Sequence, residues 1–228
     1  MGDDDQLVVL AGGLGTRMAA VDPRPKILLE LAGRSLLEHL LARAESAGFG
    51  RVLLLLGHGH ERVLDALAHS SIHLTIETRV DPSDAYGTRR ALFAAHRWLA
   101  ETFALTYGDD LLPYDYGAPL RALRARPAAE ACMALLHNRG QLLPSNAARE
   151  GAWVHRDAKG ARDAELDHID YGASALRRRL FEADPGPGAD LAPLFGELAR
   201  SRRLCAVLAE EPFLEVGSPE GLSRARAH

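Results

Sequence analysis

Gly12, Gly13 and Gly15 stand in the run LAGGLGTRM, directly after the apolar stretch LVVLA. Lacking a Cβ, glycine lets a backbone turn sharply and bring its N–H groups up to an oxyanion, so the loop from Leu10 and Ala11 through Thr16 has the chemistry of a phosphate cradle. Lys26 follows, preceded by Pro25, and of 27 basic residues only Lys26 and Lys159 are lysine. On so arginine-rich a background, a retained lysine marks a place where a compact ammonium serves and a planar guanidinium does not. Farther along, FALTY leads into Gly108, Asp109 and Asp110. A carboxylate at the C-terminal end of a strand lies where open α/β sheets hold their ligands, and its hard oxygens suit Mg²⁺. Asp109 is the expected ligand and Asp110 the fallback.

Two familiar phosphate loops are excluded. The Walker pattern ends in Gly-Lys-Ser/Thr, whereas this loop ends Gly15, Thr16, Arg17. The dinucleotide fingerprint needs a third glycine where Met18 stands and a carboxylate after the second strand, where the sequence has Gly57 and His58.

The elements that must position these residues follow from apolar periodicity. Continuous apolar runs at 7–11, 51–57 and 103–107 read as buried parallel strands, and 73–78 alternates into another. Ser35 with Glu38 three residues on is a capping box that opens a helix over 35–47, and helices are expected at 60–69 and 88–100. Beyond residue 128 the pattern predicts strands at 131–137, 151–156, 166–171 and 203–208, with helices at 173–183 and 189–201. This alternation predicts an α/β fold over a single domain, 1–228: a three-layer α/β/α, Rossmann-like arrangement around a mixed, mostly parallel sheet.

The constellation Gly13, Gly15, Thr16, Arg17, Pro25 and Lys26 resembles the signature of the sugar-1-phosphate nucleotidyltransferases. YGTRRAL at 86–92 is similar to that family's segment near the nucleobase, YGDDLL at 107–112 to its metal motif, and FLEVGSPEGL at 213–222 to its closing motif. SNAA at 145–148 and HIDYG at 168–172 resemble the strands that face the sugar phosphate. The resemblance implies that a sugar 1-phosphate attacks the α-phosphorus of a nucleoside triphosphate and pyrophosphate leaves. It places Arg17 on the β- and γ-phosphates, Lys26 on the α-phosphate, Gly87 and Thr88 at the nucleotide, and Mg²⁺ on Asp109 and Glu215. Tyr107, Gly108, Asn146, Asp170 and Tyr171 then face the acceptor. Lys159 either holds the sugar phosphate or belongs to an exposed turn in DAKG, and Asp170 either accepts from a sugar hydroxyl or caps the helix expected near Ser174. Arg89 and Arg90 depart from the family's two small residues, and Glu215 stands where Asp is usual.

Composition narrows the partners. A net charge of -4 gives no general attraction to nucleic acid or anionic membrane. No apolar run approaches membrane-spanning length, and the acidic start MGDDDQ departs from a signal peptide, so a cytoplasmic setting is expected. Cys132 and Cys205 form no CxxC pair, which argues against a zinc site or a disulfide framework, and His58 and His60 are read as a loop after a strand. A homodimer stays open. A glycosyltransferase with a metal-binding Asp-x-Asp ranks lower, because Leu111 holds the second acidic position. Transfer to a non-sugar phosphate or phosphonate, and a ligand-sensing paralogue without catalysis, are the remaining alternatives.

Overall fold

Leu7 and Val9 bury into one apolar cluster and Val8 into another on the opposite face, which is why the first strand is apolar without alternation. The same division places Val52, Leu54 and Leu56 on one face and Leu53 and Leu55 on the other. The computed structural model describes residues 2, 4–13, 22–70, 72–80, 87–139, 144–157, 165–216 and 218–226.

The first half of the chain runs β1 (Gln6–Ala11), β2 (Glu30–Leu31), β3 (Arg34–Ser35), α1 (Leu36–Ser46), β4 (Arg51–Leu56), α2 (His60–Ala68), β5 (Thr75–Val80) and α3 (Thr88–Ala94). It continues through β6 (Thr102–Tyr107), β7 (Asp110–Leu111), α4 (Gly117–Arg124) and β8 (Ala131–His137). The second half adds β9 (Ala147–Glu150), β10 (Trp153–Asp157), β11 (His168–Arg177), α5 (Leu191–Arg200), β12 (Leu204–Ala209), β13 (Leu214–Glu215) and α6 (Pro219–Arg226). Short 3-10 turns lie at Lys26–Leu28, His96–Trp98 and Arg178–Phe181.

Among the described residues, nine strands form one sheet in the order β5-β4-β1-β6-β11-β8-β12-β10-β9, and β9 also pairs with β11. The α/β class therefore holds, but the expected mostly parallel sheet does not. Four neighbouring pairs are parallel (β5–β4, β4–β1, β1–β6 and β8–β12), against five antiparallel pairings that involve β11, β10 and β9. The parallel block is the N-terminal one. Residues of α1, α2 and α4 join the cluster on one face of the sheet, and residues of α3 and α5 the cluster on the other.

Several boundaries moved, and one element changed type. The helix expected at 173–183 is the second half of β11 followed by a 3-10 turn. Ala, Leu and Arg favour a helix locally, but Ala173 to Arg177 lie between β6 and β8, which take their backbone hydrogen bonds on both sides. Asp170 consequently has no helix at Ser174 to cap. The predicted capping box is present: the Glu38 amide donates to Ser35 Oγ at 3.2 Å, and Glu38 Oε2 accepts from the Ser35 amide at 2.7 Å. Cys132 and Cys205, distant in sequence, face each other in register on β8 and β12 as buried free thiols. No helix among the described residues is long and apolar enough to cross a membrane.

Candidate active site

The C-terminal ends of β5, β4, β1 and β6 open onto a cavity of about 850 Å³. Its floor depends on close backbone approach. A Cβ on Gly57, just after β4, would sit 2.4 Å from the Gly12 carbonyl oxygen and 2.8 Å from Gly12 Cα, so the loops leaving β1 and β4 approach this closely because residue 57 is glycine. The Gly108 amide donates to the Leu10 carbonyl at 2.9 Å, and a Cβ there would lie 3.0 Å from the Ala11 methyl. Leu10, Ala11, Gly12 and Gly13 form one wall. Gly87, Thr88, Tyr107 and Gly108 line it as well.

Lys26 opens a 3-10 turn after Pro25, and its Nζ donates to Asp109 Oδ2 at 3.0 Å, both residues lining the cavity. The Lys26 side chain is 15% exposed and that of Asp109 40%. The two residues expected to carry most of the chemistry, 83 positions apart, are thus in contact. Glu215 reaches the same place through a separate ribbon: β13 pairs antiparallel with β7, setting Glu215 opposite Asp110, and the Val216 amide donates to the Asp109 carbonyl at 3.4 Å. Asp109 and the backbone of Glu215 are therefore neighbours; the Glu215 side chain, like Gly15, Thr16, Arg17 and Lys159, lies outside the described residues. Among the described residues no group of three or more His, Cys, Asp or Glu side chains gathers to hold a metal. In phosphoryl-transfer sites Mg²⁺ is held by as few as one or two protein carboxylates, the rest of its shell being water and phosphate oxygens.

The expected acceptor residues form a second group beside Tyr107. Asn146 Oδ1 accepts from the Asp170 amide at 2.8 Å, and Asp170 Oδ1 accepts from the Gly172 amide at 3.0 Å. The clasp sits at a register shift in β11, where the Gly172 carbonyl accepts from Thr106 Oγ1 at 3.0 Å and a Cβ on Gly172 would lie 3.7 Å from the Tyr107 ring. It adjoins the end of β6 but does not line the cavity. Tyr171 is a different case. It is 1% exposed, its hydroxyl donates to the Glu211 carbonyl at 2.9 Å, and its ring packs edge-on against Tyr114 and Phe213. Burial pushes its phenol up to about 12. The Tyr171 side chain is thus packed within the core, since successive strand residues point to opposite faces.

Residues 7–184 match the MobA-like NTP transferase domain. The chain belongs to that family. Bifunctional protein GlmU of Azotobacter vinelandii is 34% identical over 198 residues, covering 85% of this chain and 40% of GlmU. The chain thus spans about two-fifths of the length of the first curated relatives it matches. Among solved structures, HddC from Yersinia pseudotuberculosis superposes with a TM-score of 0.80 at 20% identity, over 98% of each chain. The inositol-1-phosphate CTP transferase from T. maritima superposes at 0.77 and 16% identity, covering 99% of this chain and 96% of that one. At such identities the superpositions establish a shared fold.

Within this MobA-like NTP transferase domain the cavity is also lined by residues that the motifs did not reveal. The loop Gly57 to Glu61 lines the cavity, including His58 and His60; His60 Nδ1 lies 3.2 Å from the Gly57 carbonyl, and the pair holds no metal cluster among the described residues. Its one sequence signal was position, directly after a buried parallel strand. Asp190, from the C-terminal half, also lines the cavity and has no local signal at all. Arg89 and Arg90 do not line it. The Arg90 guanidinium turns to Asp184 and lies over the Phe93 ring, and together with the Gly186 amide it holds the Asp184 carboxyl below the ordinary carboxylate range.

Proposed function

We propose that this chain transfers a nucleotidyl group from a nucleoside triphosphate to a sugar 1-phosphate, a hexose or heptose, with release of pyrophosphate. The observation that carries the reading is the Lys26–Asp109 contact on the wall of a glycine-floored cavity at the ends of parallel strands. An acceptor phosphate oxygen forms a bond to the α-phosphorus while the bond to the β-phosphate oxygen breaks, and the electron pair leaves with pyrophosphate. Two anions must meet, so neutralising charge is the main task.

Backbone amides of Gly12 and Gly13 approach the phosphates without a side chain in the way. Lys26 turns its ammonium from Asp109 to an α-phosphate oxygen and stabilises the charge that grows there. Asp109, released from that ion pair, and Glu215 would hold Mg²⁺, which supplies Lewis-acid polarisation of the phosphate when bound. Asn146 and Asp170, whose side chains are ordered by the Asp170 and Gly172 amides, would offer partners to hydroxyls of the acceptor. The test is a matrix of GTP, ATP, CTP, UTP and dTTP against hexose and heptose 1-phosphates, a phosphonate and a polyol phosphate, with pyrophosphate as readout. Release that requires both reactants supports the reading; release with a phosphonate or polyol phosphate alone would redirect it to a non-sugar acceptor.

A further inference from the structure

Residues 189–191 are locked onto the first turn of α3. The Thr88 amide and hydroxyl both donate to Asp190 Oδ1, at 3.0 and 3.2 Å, and the Leu191 amide donates to Thr88 Oγ1 at 2.9 Å. The amides of Arg89 and Arg90 both donate to the Ala189 carbonyl, at 2.9 and 3.1 Å. Asp190 thus caps α3 while Thr88 caps α5. Gly87 lets them meet: its φ is +110°, and a Cβ would lie 2.4 Å from the Ala189 oxygen.

This arrangement decides what the wall can bind. The first amides of a helix ordinarily attract anions, but those of Thr88, Arg89 and Arg90 are already taken. A carboxylate lines the cavity in their place and repels phosphate. The ammonium of Lys26 and the glycine loop line the same cavity, and Leu10, Leu55, Val80 and Ala91 supply apolar lining. Val80 ends β5, three strands from the β6 end that leads to Asp109, about 14 Å at the usual strand spacing. The carboxylate of Asp190 and the ammonium of Lys26 favour one sense of entry for a nucleotide, phosphates toward Lys26 and base toward Asp190.

We propose that Asp190 selects the base. The inference rests on the reading that a nucleoside triphosphate is the substrate. Oδ1 is committed to Thr88, and Oδ2 is the oxygen left to accept from the base. An exocyclic amino group meets that need in guanine, cytosine and adenine, and guanine adds a ring N–H beside it. Uracil and thymine present carbonyl oxygens on both sides of their single ring N–H, which a carboxylate repels.

The test is calorimetric titration of the full chain, wild type and Asp190→Asn, with each of the five triphosphates in Mg²⁺. Asparagine keeps an oxygen for the Thr88 amide, so the cap survives while the second oxygen becomes a donor. Wild type should bind GTP at least about tenfold tighter than UTP or dTTP, and the variant should lose that margin with its melting temperature unchanged. Should Asp190→Asn melt early, Asp190→Ser preserves a capping acceptor without the charge and must show the same loss. A ranking unchanged in a variant that still binds nucleotide, or a wild type that prefers UTP or dTTP, overturns the role of Asp190 and leaves nucleotidyl transfer standing. Failure of wild type to bind any triphosphate overturns both.

Discussion

Replacing Lys26 with Ala separates what the Lys26–Asp109 pair does for stability from what it does for reaction. The pair is open to water on the Asp109 side, where 40% of the side chain is exposed, and ion pairs of that kind contribute only about 0–1 kcal/mol to folding. For a chain of this size the melting temperature should then fall by no more than roughly 2–4 °C. Asp109 keeps water as a partner, so no buried unpaired charge is left behind. The effect on reaction is of another order: removing one charged donor aimed at developing transition-state charge costs about 3–4 kcal/mol, a factor of a hundred to a thousand in turnover. Thermal melts with turnover at saturating substrates and Mg²⁺ measure both. Lys26→Arg should not restore the rate, because a planar fork does not reproduce a point ammonium. Wild-type turnover at saturation, or a loss confined to KM, would refute the assignment, since either means Lys26 contributes equally to ground and transition states.

Asp109→Asn should nearly abolish activity, whereas Glu215→Gln should shift the Mg²⁺ titration to higher concentration and Glu215→Asp should retain more activity than Glu215→Gln; an unaltered titration in Glu215→Gln would move the second ligand to Asp110. Gly57→Ala forces a Cβ to within 2.4 Å of the Gly12 carbonyl oxygen, so the variant should lose about 1–3 kcal/mol of stability and its nucleotide affinity, while Gly13→Ala, with nothing within 4 Å, should keep its melting temperature. Hydrogen bonds from the Ser35 hydroxyl and amide hold the Glu38 carboxyl below its ordinary value. A depressed folded-state value stabilises fully above the unfolded value, near 4.3, and the contribution disappears as pH falls through the folded value. The melting-temperature advantage of wild type over Glu38→Gln should accordingly shrink as pH is lowered from 6 to 3.

What could be read from the sequence is what is local in it. The runs at β1, β4 and β6 are apolar because they are buried on both faces, and the Ser35 box is set by residues three apart, so strands, helix start and glycine loop were all legible. Lys26 and Asp109 stood out by residue type and by position after a proline and at a strand end. The direction in which β11 enters the sheet left no local trace, and its second half carries helix formers that the neighbouring strands override. The burial of Tyr171 was not legible, because the motif gave the residues without the register, and one step along a strand reverses the face. Asp190 was invisible for a different reason: it reaches the cavity through hydrogen bonds to a residue 102 positions away.

The most direct test of nucleotidyl transfer is ³¹P NMR of the full chain with Mg²⁺, the best-bound triphosphate and a sugar 1-phosphate, followed until the resonances stop changing. The account expects pyrophosphate and a new two-phosphorus diphosphate resonance pair to grow in equal amounts as the sugar 1-phosphate signal declines. Pyrophosphate or inorganic phosphate rising while the sugar 1-phosphate signal stays constant would contradict it, because the nucleotidyl group or the terminal phosphoryl group would then have passed to water.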